Sequence, residues 1–494
     1  MDRKTDIKTK QPSLKKNAAL NMIKMVMSLI FPLITFPYSS RVLGPVSIGK
    51  VNFAQSVVSY FSLIAALGIS TYAIREAAKL RENKKELSVF TREILTINMI
   101  STLAAYILLA LAIFIVPQFE NYRKLLCICG ASILFTTIGM DYLYTALEEF
   151  KYITIRSIIF QFISLGLLFT LVKNQDDYLK YAAVSVISSV GSNILNFLHT
   201  RKFIDFKLTK DVQISLKKHL KPIFTLFAMS AAISIYTVLD TTMLGLIKGD
   251  EAVGIYTAAT KLNRMVIMMI TAATGVLLPR LSYYANSGEK TEFLRLVDKA
   301  MQFVVLFSVP CAAGLFVLSE PAVLLFSGTK YLSAIPVMKI MNAIIVFISL
   351  SNVTGIQIFM SVGKENTTLF SVIIGSVVNF ILNMILIPQY GAAGAAIGTV
   401  AAEFTVTAIQ LVFAGKYIPY KNLLHHSIKV VCSALIMAFC VHFVSDFFES
   451  LILKLLLGIT SGIIIYIICM LVFKDKFSLD FFNELKVRIK GSKQ

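Results

Sequence analysis

Fourteen runs of predominantly apolar residues, each about twenty long, follow one another along the chain. They lie near 20–39, 51–74, 93–116, 125–146, 153–172, 179–198 and 222–247, then near 253–278, 300–326, 334–361, 367–387, 392–414, 427–447 and 451–473. A bilayer core about 30 Å thick is crossed by roughly 20 residues of helix, which satisfies its own backbone hydrogen bonds where there is no water. The pattern therefore predicts an all-α polytopic membrane protein with about 14 transmembrane helices.

Within that pattern the stretch 42–75 resembles 247–280 at a constant offset of 205 residues, pairing Gly44 with Gly249, Gly49 with Gly254, Ala54 with Ala259 and Arg75 with Arg280. The offset covers six runs, an even number, so both copies keep the same orientation, as in transporters built from parallel repeats. Two pseudo-symmetric six-helix lobes are expected, 1–215 and 216–415. Residues 416–494 then add a two-helix hairpin and a basic tail, and the basic loop near 199–221 joins the lobes.

Composition sharpens this picture. Of the 494 residues 56% are hydrophobic and 15% charged, where soluble domains carry roughly 25% charged residues. The net charge of +20 comes from short connections between apolar runs, which argues against one nucleic-acid-binding patch. A cytoplasmic N-terminus places 36 of the 48 Lys and Arg on or next to cytoplasmic segments, including Arg3, Lys4, Lys8, Lys10, Lys15 and Lys16. Lys207, Lys210, Lys217 and Lys218 repeat the signal after the sixth run, so both termini are expected inside. The first 19 residues lack the apolar core and cleavage site of a secretory signal peptide. Six cysteines fall inside apolar runs and suggest neither disulfides nor a metal site, and no cofactor is indicated.

Gly44-Pro45-Val46-Ser47-Ile48-Gly49-Lys50 imitates the start of a nucleotide-binding P-loop, but Val51 stands where a hydroxyl must hold magnesium. Soluble stretches are too short for a separate catalytic domain, which points to transport rather than enzymology.

Polar groups inside the runs are then the candidates, since ionisable residues at membrane depth are costly. Asn17, Asn21, Lys24, Ser28 and Thr35 share one face of the first helix. Thr257, Lys261, Arg264, Met268 and Thr271 share another on the eighth, with two cations and no acid three or four positions away. Arg156 is a third intramembrane cation, in the fifth run. The acids Asp141, Asp240 and Glu403 serve either as ion-pair partners or as a proton or sodium coupling site. Asn342, Asn352, Gln357, Asn379 and Asn383 suit interhelical bonding or sugar hydroxyls.

Lys15-Lys16-Asn17-Ala18, the run from Pro32 to Tyr38, and Ser40-Arg41-Val42-Leu43-Gly44-Pro45 resemble the start of Wzx-type polysaccharide repeat-unit flippases. Gly254-Ile255-Tyr256, Leu278-Pro279-Arg280-Leu281 and Tyr390-Gly391-Ala392-Ala393-Gly394 are similar to that family's second half. The wider superfamily also holds multidrug exporters and lipid II flippases. The resemblance implies a multi-pass protein of the bacterial cytoplasmic membrane. Its expected cargo is an undecaprenyl-diphosphate-linked oligosaccharide moved from inner to outer leaflet by alternating access for O-antigen or capsule synthesis, with the polysaccharide polymerase machinery as a partner. Lys24, Arg41, Lys261, Arg264 and Arg156 are the cations expected to meet the diphosphate. The alternatives are an ion-coupled exporter of organic cations and a lipid II flippase.

Overall fold

The computed structural model describes residues 14–205, 207, 214–481 and 483, with the backbone alone described at 14–19, 21, 25 and 229. Arg3, Lys4, Lys8, Lys10 and Lys210 lie outside the described residues, as do the side chains of Lys15, Lys16, Asn17 and Asn21.

Among the described residues the regular structure is helical, without a strand. The first half comprises α1 (Leu14–Ala66), α2 (Ile69–Lys79), α3 (Lys84–Ile115), α4 (Arg123–Gly139), α5 (Asp141–Ala146), α6 (Phe150–Leu171), α7 (Tyr178–Val186), α8 (Asn193–His199) and α9 (Lys217–Lys248). The second comprises α10 (Asp250–Gly275), α11 (Leu278–Ser287), α12 (Lys290–Val317), α13 (Ser319–Ser327), α14 (Ala334–Met341), α15 (Ile344–Asn352), α16 (Glu365–Tyr390), α17 (Ala392–Phe413), α18 (Tyr420–Asp446) and α19 (Leu451–Val472).

Among the described residues thirteen helical stretches are long and apolar enough to cross a membrane. The first of them, Met22–Lys79, holds two of the expected crossings, because α1 breaks at Gly44 (φ 74°, ψ 175°). Split there, the count returns to the fourteen read from the sequence. The expected loop between the first two runs is thus a single left-handed residue, which glycine adopts without a Cβ penalty, and Pro45 restarts the helix at the position where its missing N–H costs nothing. The P-loop-like segment from Pro45 to Lys50 is therefore helical, with no strand before it. Gly249, its partner at offset 205, takes the same conformation (φ 82°, ψ −171°) between α9 and α10. The two copies share a backbone device as well as residues.

The chain separates into two compact units, one ending at Leu246 and the other starting at Ile247. The first unit thus runs past position 215, and α9 lies almost wholly within it. There its backbone at Phe227 comes so near Gly68 (φ 69°) that a Cβ would sit 2.7 Å from the Phe227 nitrogen. A buried cluster of Ile69, Phe90, Leu143, Tyr144, Phe203 and Ile223 ties the ends of α2, α3, α5 and α9 together. Glu93, buried on α3, clamps the entry to α9: it accepts the Ser215 N–H at 2.8 Å and pairs with Lys218 Nζ at 2.8 Å and His219 Nε2 at 2.9 Å.

In the second unit α16 and α17 form a hairpin turned by Gly391 (φ 56°). Ala392, Gly394, Ala395, Ala396 and Gly398 make a small-residue face that lets the backbones approach, as in membrane helix pairs generally. A Cβ on Gly394 would stand 2.3 Å from the Leu386 carbonyl oxygen. Large apolar side chains remain exposed along the outer faces, among them Leu103, Phe114, Val377, Ile381 and Ile463, as hydrocarbon contact requires.

Candidate functional site

In the first unit Arg156 and Asp141 come together. Arg156, on α6, is 5% exposed; its Nη2 donates to Asp141 Oδ1 at 3.2 Å, and its Nη1 to the Ser192 carbonyl (3.3 Å) and Asn193 Oδ1 (3.2 Å). Asn196 Nδ2 donates to the same Asp141 oxygen at 2.6 Å and to the Gly139 carbonyl at 2.9 Å. The αL residue Met140 (φ 44°) breaks the helix between α4 and α5 and sets Asp141 at the new N-terminus, a favourable place for a carboxylate. Asp141 also borders a cavity of about 190 Å³ with Ser62, Ser70, Asn98, Thr136 and Thr137, polar enough to hold water.

The other first-unit candidates stand apart from that pair. Lys24 and Arg41 are exposed on α1, Arg41 donating from Nη1 to the Pro37 carbonyl at 2.8 Å. Asp240 is buried on α9, in the turn before Thr242, which donates to Ser56 Oγ at 3.1 Å.

In the second unit α10 presents Lys261, half-buried, and Arg264, exposed, one turn apart. The acids in its first turn, Asp250 and Glu251, lie more than two turns away along the helix. Glu403 is buried on α17, which packs against α10. Asn263, between the two cations, was not among the sequence candidates; it is fully buried, and neither amide atom has a hydrogen-bond partner. An amide inside an apolar run two positions from a lysine was the available signal.

Asn342 and Asn352 bond between helices, whereas Asn379 and Asn383 bond along α16 itself. Asn383 Nδ2 donates to Asn379 Oδ1 (3.1 Å), Asn342 Nδ2 to Ser319 Oγ (3.3 Å), and Thr274 donates to Asn352 Oδ1 (3.4 Å). Thr354, just past the end of α15, forms a further buried chain with Gln410 on α17 and Ser371 on α16.

Sequence reasoning also missed a buried ion pair beyond the last crossing. His426 Nδ1 faces both oxygens of Asp475 at 3.0 Å, and its Nε2 faces the Gln302 carbonyl at 3.1 Å. Through these two contacts the ring ties α18 to α12 and to the segment that follows α19. Burial pushes the Asp475 carboxyl up, but hydrogen bonds from His426 and from the Ser478 N–H and hydroxyl outweigh it and hold the group at about 2.

Among the described residues no cluster of three His, Cys, Asp or Glu is arranged to hold a metal ion, and the six cysteines are free thiols.

Known proteins share this architecture. A solved structure described as "Lipid II flippase MurJ, inward closed conformation" superposes with a TM-score of 0.74 at 18% identity, covering 95% of this chain and 100% of that one. An inward-facing multidrug resistance MATE family transporter of the MOP superfamily gives 0.61 at 15% identity, covering 81% and 97%. In sequence, the "Putative O-antigen transporter" of Escherichia coli (strain K12) is 23% identical over 408 residues, 82% of this chain and 97% of its own. Residues 226–385 match the MatE family, and residues 14–285 match the family described as polysaccharide biosynthesis protein. That match spans more than half of the chain and reaches from the first crossing through the α10 cations, and this multi-pass membrane protein therefore belongs to the polysaccharide biosynthesis protein family, with the character of a Wzx-type flippase.

Proposed function

We propose that the chain flips an undecaprenyl-diphosphate-linked oligosaccharide from the inner to the outer leaflet of a bacterial cytoplasmic membrane by alternating access, with both termini cytoplasmic. The observation that carries this reading is the pair Lys261 and Arg264 on α10, inside a membrane-crossing helix and inside the segment matched to the polysaccharide family. A diphosphate spreads negative charge over several oxygens, and a lysine point charge beside a forked guanidinium suits it. Lys24 and Arg41, exposed on α1, are the further cations assigned to it. Arg156 is held by Asp141, and we assign that pair to the helix frame. Asp240 and Glu403 are proposed as ion-pair or proton- or sodium-coupling acids.

The prenyl tail needs an apolar berth. In the second unit a cavity of about 390 Å³ lies between α12, α18 and α19, walled by Pro310, Gly314, Met437, Gly458, Gly462 and Tyr466 among others. Leu306, Leu315, Val441 and Ile467 complete a wall that is almost wholly apolar, which suits a hydrocarbon chain.

The test is restoration of surface polysaccharide in a strain deleted for the gene. Lys261→Ala with Arg264→Ala removes charge-assisted bonds worth about 1.5 to 3 kcal/mol each, so polysaccharide falls at least tenfold at normal membrane abundance. Wild-type polysaccharide from that variant overturns the assignment.

The MatE match over residues 226–385 supports a second reading, ion-coupled export of organic cations. In that case the α10 substitutions are neutral, Asp240→Asn and Glu403→Gln are damaging, and deletion changes drug resistance without changing polysaccharide.

A further inference from the structure

We propose that a pocket in the first unit, where α6 meets α8, binds the phosphate headgroup of an anionic phospholipid. The pocket measures about 370 Å³. Lys151 and Lys202 stand exposed at its rim, and Arg156 lines it from beneath. Both Arg156 Nη atoms bond to Asp141, Ser192 and Asn193, but its buried Nε has no hydrogen-bond partner. Against these three cations the lining holds one carboxylate, Glu149.

The remaining wall is aromatic and aliphatic, made by Tyr152, Phe160 and His199 with Ile155, Ile159 and Leu195. Tyr152 stacks on His199 at 4.1 Å between ring centroids and on Tyr144 at 5.3 Å. The same two helices then turn Ile155, Ile159 and Leu195, each 44–50% exposed, to the outside. A phosphate seated against the cations would thus leave its acyl chains lying on an apolar helix face, the arrangement by which basic pockets between membrane helices hold anionic lipids. The lining has no amide and no hydroxyl besides Tyr152, which disfavours a saccharide. Lys151 and Lys202 flank loops that the charge bias assigns to the cytoplasmic leaflet, where anionic phospholipid supplies the phosphate.

The chain contains no tryptophan, so one introduced residue reports on one place. The full-length Leu195→Trp variant is reconstituted in vesicles containing either brominated phosphatidylglycerol or brominated phosphatidylcholine at equal mole fraction. Quenching should favour phosphatidylglycerol by about fivefold or more, and adding Lys151→Gln and Lys202→Gln should abolish the preference, at about fivefold per lysine. Arginine at both positions should retain it, which shows that the pocket still folds. Ile381→Trp on the exposed apolar face of α16 should show no preference. Equal quenching by both lipids at Leu195→Trp overturns the proposal. So does relief of quenching by millimolar inorganic phosphate, which marks a soluble-phosphate site, or by polyprenyl diphosphate at the same mole fraction as the phospholipid, which assigns the pocket to the cargo.

Discussion

Arg156 shows how much a single intramembrane charge depends on its neighbours. Its guanidinium is buried while the partner Asp141 side chain is 56% exposed, so solvent screens part of the attraction. Losing the partner of a fully buried charge costs about 3 to 5 kcal/mol, and Asp141→Asn should cost about 1 to 2 kcal/mol here. The measurement is thermal unfolding in detergent. Adding Arg156→Met to Asp141→Asn should recover part of the loss, and a purely additive pair of substitutions would show that the two residues do not interact. From the sequence alone both residues were recognisable as expensive. Which cation met which acid was not, because Asp141 reaches Arg156 only after the chain breaks at Met140 and α8 delivers Asn193 and Asn196 from the other side.

The Asp475 carboxylate carries a pH dependence. Its pKa in the folded chain is about 2, below the ordinary 3.8, so its contribution is complete above about pH 4 and is lost as pH falls from there through about 2. The difference amounts to about 2 kcal/mol. Wild type should therefore melt a few degrees above Asp475→Asn at pH 6, and the gap should close toward pH 2 to 3. A gap independent of pH would contradict the pairing. This cluster lay beyond what the sequence revealed, since His426 and Asp475 are 49 positions apart with no periodicity relating them.

The elements themselves were the most legible level, because a bilayer admits few alternatives to a self-satisfied helix. The runs expected at 392–414 and 451–473 differ from α17 (Ala392–Phe413) and α19 (Leu451–Val472) by one residue at one end. Internal irregularity was less legible. The run expected at 300–326 is two helices, α12 to Val317 and α13 from Ser319, and the run at 334–361 passes through a π-helical segment at Val353–Phe359. Hydropathy has no sensitivity to such interruptions, because they leave the average unchanged. The small-residue face of α17 makes a sharper prediction. Gly394→Ala places a methyl group 2.3 Å from the Leu386 carbonyl oxygen, so the hairpin must part, at about 1 to 3 kcal/mol. Gly166→Ala, with nothing within 4 Å, is the matched control. Melting temperature and monodisperse yield should drop for the first and hold for the second.

At the scale of the molecule, fourteen crossings with both termini inside imply that position 449, in the turn between α18 and α19, is extracellular. A single cysteine there should react with an impermeant maleimide in intact cells, and protection of that site would remove the last hairpin from the topology. The duplication was visible as a few identities at offset 205, and its physical content is the shared positive φ of Gly44 and Gly249. Substitution by Ala at either should cost about 1 kcal/mol, because a Cβ there meets its own backbone. Cargo is harder to read than fold, since two cations on α10 state the charge of a ligand but not its sugar.

The central claim is transbilayer movement of a lipid-linked saccharide. The direct measurement places a fluorescent polyprenyl-diphosphate oligosaccharide in both leaflets of proteoliposomes and follows how fast the inner pool becomes accessible to an impermeant quencher outside. With wild-type protein the inner pool should become accessible far faster than in protein-free vesicles, and Lys261→Ala with Arg264→Ala should slow the exchange at least tenfold. Exchange no faster than in empty vesicles, by protein that is folded and monodisperse, would contradict the account.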